Sequence, residues 1–283
     1  MAKMVDQRLK LIICSVFALN AQLVFGDSFL NFTFLESAVS KGAVCLDGSP
    51  PAYAFDKGFG EGANNWVVFL EGGGWCNSKS DCLDRAKGYF GNSISRPFNR
   101  TFFSGILDQT QIFNPDFYNW NKVFVLYCDG ASFMADVERV DPKTNLTYRG
   151  ARIFDAVMDE MLAKGMKNAE NAILTGTSAG GLATMLHCDK FRGLIPNAGR
   201  VKCISDSGFF IHGTNLPGAE YRLRRFAKVV KTHKLAKLLP TSCTSKMDEG
   251  LCFFPENFVQ DIQTPLFILE SAFEKFQVTS LSQ

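Results

Sequence analysis

Histidine is scarce in this chain: its 283 residues hold three, His187, His212 and His233. Imidazole is the side chain most often used as a base near neutral pH, so any proton-transfer chemistry has few candidates here. No C-x-x-C pair occurs, which argues against a structural zinc site. Neither G-x-x-x-x-G-K-[ST] nor G-x-G-x-x-G is present, which argues against the loops that cradle nucleotide phosphates. The sequence therefore implies no cofactor and no metal. An excess of charge is lacking as well: 30 Lys and Arg stand against 28 Asp and Glu, and a net +2 is too small to indicate a nucleic-acid partner. Beyond the N-terminus there is no apolar run long enough to span a bilayer, no internal repeat and no low-complexity linker. With 46% hydrophobic and 20% charged residues, the composition is that of one globular domain.

At the N-terminus, Lys3, Arg8 and Lys10 precede an apolar stretch from Leu11 to Phe25, and Gly26 offers a small residue for cleavage. This pattern reads as a secretory signal peptide over residues 1–26, leaving 27–283 as the domain. Asn20 and Gln22 interrupt the stretch, so stable membrane insertion is not expected. Eight cysteines follow Cys14, an even count suited to disulfides in an oxidising compartment. Eight cysteines allow 105 full pairings, and the short loops Cys76–Cys82 and Cys243–Cys252 are the first expected bridges. Asn31, Asn99 and Asn145 each open an N-x-T glycosylation sequon. All three signals point to a secreted, extracellular protein.

Short apolar runs bounded by Gly, Asp, Asn or Pro predict buried strands at 66–70, 123–127, 172–175, 201–204 and 266–269. Between them, residues 148–164 carry Ile153, Phe154, Val157, Met158, Met161 and Leu162 at helical period, with Gly165 placed to end the helix. A second helix is expected over 179–191. Alternating strands and helices imply an α/β fold with a mostly parallel sheet covered by helices on both faces. Residues 222–237 place seven Lys and Arg around an apolar stripe with no acid among them, and read as the solvated face of an amphipathic helix including His233. The other reading of this stretch is a basic face that attracts a polyanion.

The chemistry concentrates in two glycine-rich segments. Gly176-Thr177-Ser178-Ala179-Gly180 follows a predicted strand and opens a predicted helix, the context of a nucleophile elbow that presents the Ser178 hydroxyl above a sheet. Glu71-Gly72-Gly73-Gly74-Trp75 directly follows another strand. There, glycines let backbone N–H groups approach a developing oxyanion. Hydrolases of this kind take a second N–H from the residue after the serine, here Ala179. Their acid and base come later in the chain, in the order Ser, Asp or Glu, His. Glu274, after the strand 266–269, is the best-placed acid. None of the three histidines suits that order: His187 lies on the nucleophile's own helix and reads as packed, and His212 precedes Glu274.

A run of motifs resembles the plant pectin acetylesterases, carbohydrate esterase family thirteen, with the Notum-type carboxylesterases of animals as more distant relatives. These are KGAVCLDGSPPAY from Lys41, LEGGGWCN from Leu70, FNPDFYNWN from Phe113, YCDGASF from Tyr127, RGARIF from Arg149, SAGGLA from Ser178, LHCDKFR from Leu186, LCFFPE from Leu251 and TPLFIL from Thr264. The resemblance runs from about Ala38 to Gln277. It implies an α/β-hydrolase-like fold and a cell-wall enzyme that removes acetyl groups from the galacturonic acid of pectin. Ser178 would be the nucleophile, Gly74, Trp75 and Ala179 the oxyanion hole, and Glu274 would occupy the place of the catalytic aspartate. Three departures accompany it. Glu274 replaces Asp, Thr177 replaces a residue that is often Cys, and the family continues past Gln283 into a segment supplying the catalytic histidine and the final cysteines. The expectation is a sheet lacking the last strand and helix region, with impaired activity and an exposed apolar edge. The alternative is an inactive pectin-binding or regulatory paralogue.

Overall fold

A computed structural model of the chain describes residues 29–271. The expected signal peptide and Glu274 lie outside the described residues. Seven strands form one mixed sheet: β2 (Thr33–Phe34), β3 (Ala52–Asp56), β4 (Asn65–Leu70), β6 (Asn121–Val125), β7 (Asn171–Thr177), β8 (Arg200–Asp206) and β9 (Leu266–Leu269). Their order is β2-β3-β6-β4-β7-β8-β9. The β2–β3 and β3–β6 pairs are antiparallel, and every pair from β6 to β9 is parallel. A separate small ribbon pairs β1 (Phe29–Asn31) with β5 (Arg100–Phe102). The helices are α1 (Lys79–Ala86), α2 (Gly150–Ala163), α3 (Ala179–Leu194), α4 (Ala219–His233) and α5 (Thr241–Thr244). This is an α/β-hydrolase-like fold.

All five predicted strands are present, each within a few residues of its expected bounds, and all five residues of β6 are buried. The antiparallel strands β2 and β3 were not legible, because AYAFD lies beside a Pro-Pro pair and carries no clean alternation. Helix α2 buries Ile153, Phe154, Val157, Met158 and Met161, as its period predicts. Gly165 ends it with φ +118° while its N–H donates to the Leu162 carbonyl. Helix α3 is buried along most of its circumference, from Ala179 to Phe191. It therefore shows little amphipathic pattern.

The eight cysteines pair as Cys45–Cys128, Cys76–Cys82, Cys188–Cys203 and Cys243–Cys252. Both expected short loops are among them. Cys188–Cys203 ties α3 to β8, and Cys45–Cys128 ties the segment before β3 to the end of β6. Cys76, Cys82 and His233 lie close enough to suggest metal ligands, but the two sulfurs are bonded to each other and offer no thiolate. All three sequon asparagines, Asn31, Asn99 and Asn145, are exposed.

Two expectations need correction. Among the described residues the sheet is not covered on both faces at its β9 end: Phe267 is 62% and Leu269 53% exposed, and a cavity of about 660 Å³ lies over β7, β8 and β9. The run LFIL is therefore a half-exposed strand, and among the described residues it is the edge of the sheet. Nor is the basic stretch one solvated face. Arg222 is buried, its guanidinium donating to the carbonyls of His212, Gly213 and Pro217 at 2.9–3.2 Å, and it organises the loop before α4. His233 is fully buried.

Candidate active site

Strand β4 has β6 on one side and β7 on the other, so the chain reverses its direction of sheet growth there. In open α/β sheets such a switch point, at the C-terminal ends of the strands, leaves a crevice where ligands bind. The two glycine-rich segments emerge at that place, one from the end of β4 and one from the end of β7.

Ser178 has φ +55° and ψ −122°, a conformation that L residues rarely hold. Neighbouring contacts hold it there. Its N–H donates to the Asp206 carbonyl at the end of β8, and its carbonyl accepts from Leu182 N–H in the first turn of α3. A side chain at Gly180 would collide with the Leu70 carbonyl, and one at Gly176 with the backbone of Gly180 and Leu70. The elbow closes this tightly only because both flanking positions lack a Cβ. The Ser178 side chain is half-buried, and among the described residues nothing hydrogen-bonds its hydroxyl.

The Glu71–Trp75 loop lies directly against this elbow. A Cβ built on Gly72 would stand 3.0 Å from the Ser178 Cβ and would overlap the Thr177 carbonyl. Gly73 and Gly74 both have positive φ, +154° and +65°. The carbonyls of this loop are held from one side. Arg85, on α1, donates to the Gly73 carbonyl at 2.9 Å and to the Gly74 carbonyl at 3.4 Å, and the Tyr127 hydroxyl donates to Gly74 at 2.8 Å. In a trans peptide the C=O and the following N–H point in opposite directions. Pinning the carbonyls of Gly73 and Gly74 therefore turns the N–H groups of Gly74 and Trp75 away from Arg85 and Tyr127. As the first residue of α3, Ala179 presents an N–H that the helix itself leaves without a partner. These three amides are the ones the sequence singles out.

Further side chains fix this frame, and sequence reasoning assigned no role to them. Ser132 accepts from the Trp75 indole N–H at 2.8 Å and donates to the Ala179 carbonyl at 2.8 Å, so one hydroxyl links the glycine loop to the elbow. Glu71 is half-buried against Arg96, and its carboxylate accepts from Arg96 at 2.7 Å and from the Tyr127 N–H at 2.9 Å. Burial raises its pKa, and Arg96 opposes that shift. Asp129 accepts from the N–H groups of Ala131 and Phe133 at 3.1 Å each and so shapes the loop that carries Ser132. Tyr127, Asp129 and Ser132 all fall within the YCDGASF motif, whose composition marked it but gave no hint of these partners. Arg85 had no sequence signal at all.

Burial pushes the Asp129 carboxyl up to about 6. Because the folded value lies above the unfolded one, the stability tied to this group is fully present below about pH 4 and is lost as pH rises through about 6. A difference of that size is worth on the order of 3 kcal/mol. Asp129→Asn is expected to lower the thermal midpoint most at pH 4 and progressively less by pH 7. A midpoint deficit independent of pH would contradict this.

The histidines do not gather at Ser178. His187 stacks on Phe154 with centroids 4.0 Å apart and bonds the Phe133 carbonyl, as expected of a packed residue. His233, expected at the surface, instead contacts the Cys76 carbonyl at 2.9 Å and packs edge-on to Tyr148. Its helix turns this face inward onto the 76–82 disulfide loop. Burial lowers both imidazoles to about 4, so both are neutral at physiological pH. His212 is buried against Phe254 in the loop after β8, and among the described residues no partner reaches its Nε2. Glu270, the last described carboxylate after β9, accepts from Phe209 N–H at 3.0 Å, tying the loops that follow β8 and β9 together.

A family model described as Pectinacetylesterase matches residues 25–283. The chain belongs to the pectinacetylesterase family. It is 54% identical over 262 residues to pectin acetylesterase 7 of Arabidopsis thaliana and 53% identical over 262 residues to pectin acetylesterase 11 of the same plant. Each alignment covers 92% of this chain and 66% of the relative, so the chain spans about two thirds of the length of these pectinacetylesterases. A palmitoleoyl-protein carboxylesterase, notum1' of Xenopus laevis, is 29% identical over 261 residues, covering 87% of this chain and 52% of the relative.

Within the site, Gly72 is the position where its two halves come closest. Gly72→Ala is expected to displace the elbow or the loop, because the neighbouring Thr177 oxygen is backbone and cannot swing aside. A loss of about 2–4 kcal/mol in stability is expected, as for other overpacked sites. An unchanged urea midpoint would contradict the close approach.

Proposed function

We propose that this chain is a secreted carboxylic ester hydrolase of the plant cell wall that removes acetyl groups from pectin through an acyl-enzyme on Ser178. The observation that carries the reading is the strained Ser178 backbone set against a loop whose Gly73 and Gly74 carbonyls are both held by Arg85 and Tyr127. Attack by the Ser178 oxygen on the acetyl carbonyl forms the C–O bond and moves the carbonyl electrons onto oxygen. The amides of Gly74, Trp75 and Ala179 stabilise that charge without reorganising, since side-chain contacts already hold the loop. Collapse expels the sugar hydroxyl, and water then releases acetate.

The serine proton needs an acceptor, and a serine hydroxyl is a weak nucleophile without one. His187 and His233 are occupied by backbone carbonyls and packed rings. Among the described residues no histidine is hydrogen-bonded to Ser178, and in this reading Glu274 takes the acid's place. Secretion, glycosylation at Asn31, Asn99 and Asn145 and a cell-wall setting complete the reading, supported by exposed sequons and four disulfides. The test is acetate release from acetylated pectin, with and without Ser178. Equal release from the serine-less variant would overturn it.

A further inference from the structure

The positively charged stretch around α4 is not absorbed by the esterase chemistry, and the structure shows what faces it. A cavity of about 610 Å³ is lined by Lys231 and Lys234 from the end of α4, by Arg139, Asp141 and Lys143 from the loop after β6, and by Lys79 from the start of α1. This size is within the range that holds small ligands. Lys79 pairs with Asp141 at 2.5 Å, which neutralises the one acid. Among the described residues Arg139, Lys143, Lys231 and Lys234 make no ion pair, so four cations from two chain segments face one space. Cations at the end of α4 also favour the helix dipole. That does not explain why a separate loop adds two more opposite them, a repulsive arrangement until an anion enters.

A second observation is independent of these surface charges. Tyr148 forms part of the cavity wall, is 7% exposed, and among the described residues its hydroxyl is buried without a hydrogen-bond partner. A buried hydroxyl without a partner is costly, and a ligand oxygen would relieve it. Val137, Val140 and Pro142 add apolar wall against which a sugar ring can lie.

One wall of the cavity is hydrogen-bonded to the segment that follows the glycine loop. Its Thr232 donates to the Asn77 carbonyl and the adjacent His233 contacts the Cys76 carbonyl, the two residues that follow the Glu71–Trp75 loop. Its other walls come from segments leaving the C-terminal ends of β4 and β6, on the edge of the sheet that presents Ser178.

We infer that this basic cavity is a subsite for the free carboxylates of a galacturonan chain, separate from the acetyl-binding site and holding sugars beyond the one being deacetylated. The inference rests on the pectin reading above and adds to it the charge state of the preferred polymer: stretches bearing free, unesterified carboxylates.

The test measures binding of fluorescently labelled polygalacturonate to the full-length chain at low and at high ionic strength. Lys231→Glu combined with Lys234→Glu is expected to weaken binding about tenfold or more, and added salt to weaken the wild type similarly. Tyr148→Phe, which changes no charge, is expected to cost severalfold. The control is Arg224→Glu with Lys228→Glu, an equal charge change at exposed positions of α4 that do not line the cavity. Equal weakening by the control would show a net-charge effect and overturn the subsite. So would unchanged binding in the first variant, competition by a fully methyl-esterified galacturonan, or tighter binding of dextran sulfate that ignores Tyr148→Phe. Covalent labelling of Ser178 by a fluorophosphonate, run on the same preparations, tests the esterase reading separately. Labelled protein that ignores polygalacturonate overturns the subsite and leaves that reading standing.

Discussion

Ser178→Ala is expected to abolish both fluorophosphonate labelling and acetate release from acetylated pectin. In a complete serine triad, losing the nucleophile lowers turnover on the order of 10⁶-fold. Among the described residues no base is hydrogen-bonded to Ser178. Labelling is therefore the clearer readout, since it needs one acyl-transfer-like event per molecule and no turnover. The fold should tolerate the change: the elbow is held by the Ser178 N–H and carbonyl and by flanking glycines, all of which alanine retains. A variant that still becomes labelled at the wild-type rate would mean that the reactive hydroxyl lies elsewhere.

Arg85→Met is expected to lower acyl transfer by about 10²-fold with little change in KM, the loss typical of removing one oxyanion donor. Arg85 does not reach the substrate in this reading; it is a positioning residue. Its guanidinium bonds the carbonyls of Gly73, Gly74 and Phe90 while stacking on Phe90 and Tyr127 at 5.2 and 5.1 Å. Methionine fills the space but leaves those carbonyls unheld, so the peptides of a glycine loop are free to rotate. The transition state then loses preformed donors while ground-state contacts remain. Arg85→Lys should rescue poorly, because an ammonium cannot span carbonyls fixed by a planar fork. Tyr127→Phe, which frees the Ser132 N–H and leaves the Gly74 carbonyl to Arg85 alone, should show the same pattern with a smaller loss, about tenfold. If kcat were unchanged and only the thermal midpoint fell, Arg85 would be a structural residue and no more.

The elements that were legible in the sequence were those whose signal is local. The runs at β4, β6 and β7 are apolar enough to be buried on both faces, and the i, i+3, i+4 pattern of α2 survives because one side faces solvent. The strand–turn–helix context of Ser178 is local too, as is the glycine run after β4. Failures came where burial depended on distant chain. Leu266–Leu269 has the composition of a buried strand, yet its outer face is open in the described residues. His233 sits among lysines in sequence, but the rotation of α4 turns it onto the Cys76–Cys82 loop, far away along the chain. Arg222 looked like its basic neighbours and is instead the buried clasp of the loop before its own helix.

The sequence by itself determined the sharp turn at Ser178, the glycine loop opposite it and the family. Each rests on a short stretch whose backbone demands particular small residues, and such demands are written in adjacent letters. The tertiary structure alone decided which side chains make that loop rigid and which cations share a cavity. Arg85, Tyr127 and Ser132 act on carbonyls 12, 53 and 47 residues away. Arg139 meets Lys231 only because the loop after β6 folds against the end of α4. Partnerships of that kind depend on how helices pack over a sheet, and no spacing in the chain encodes them.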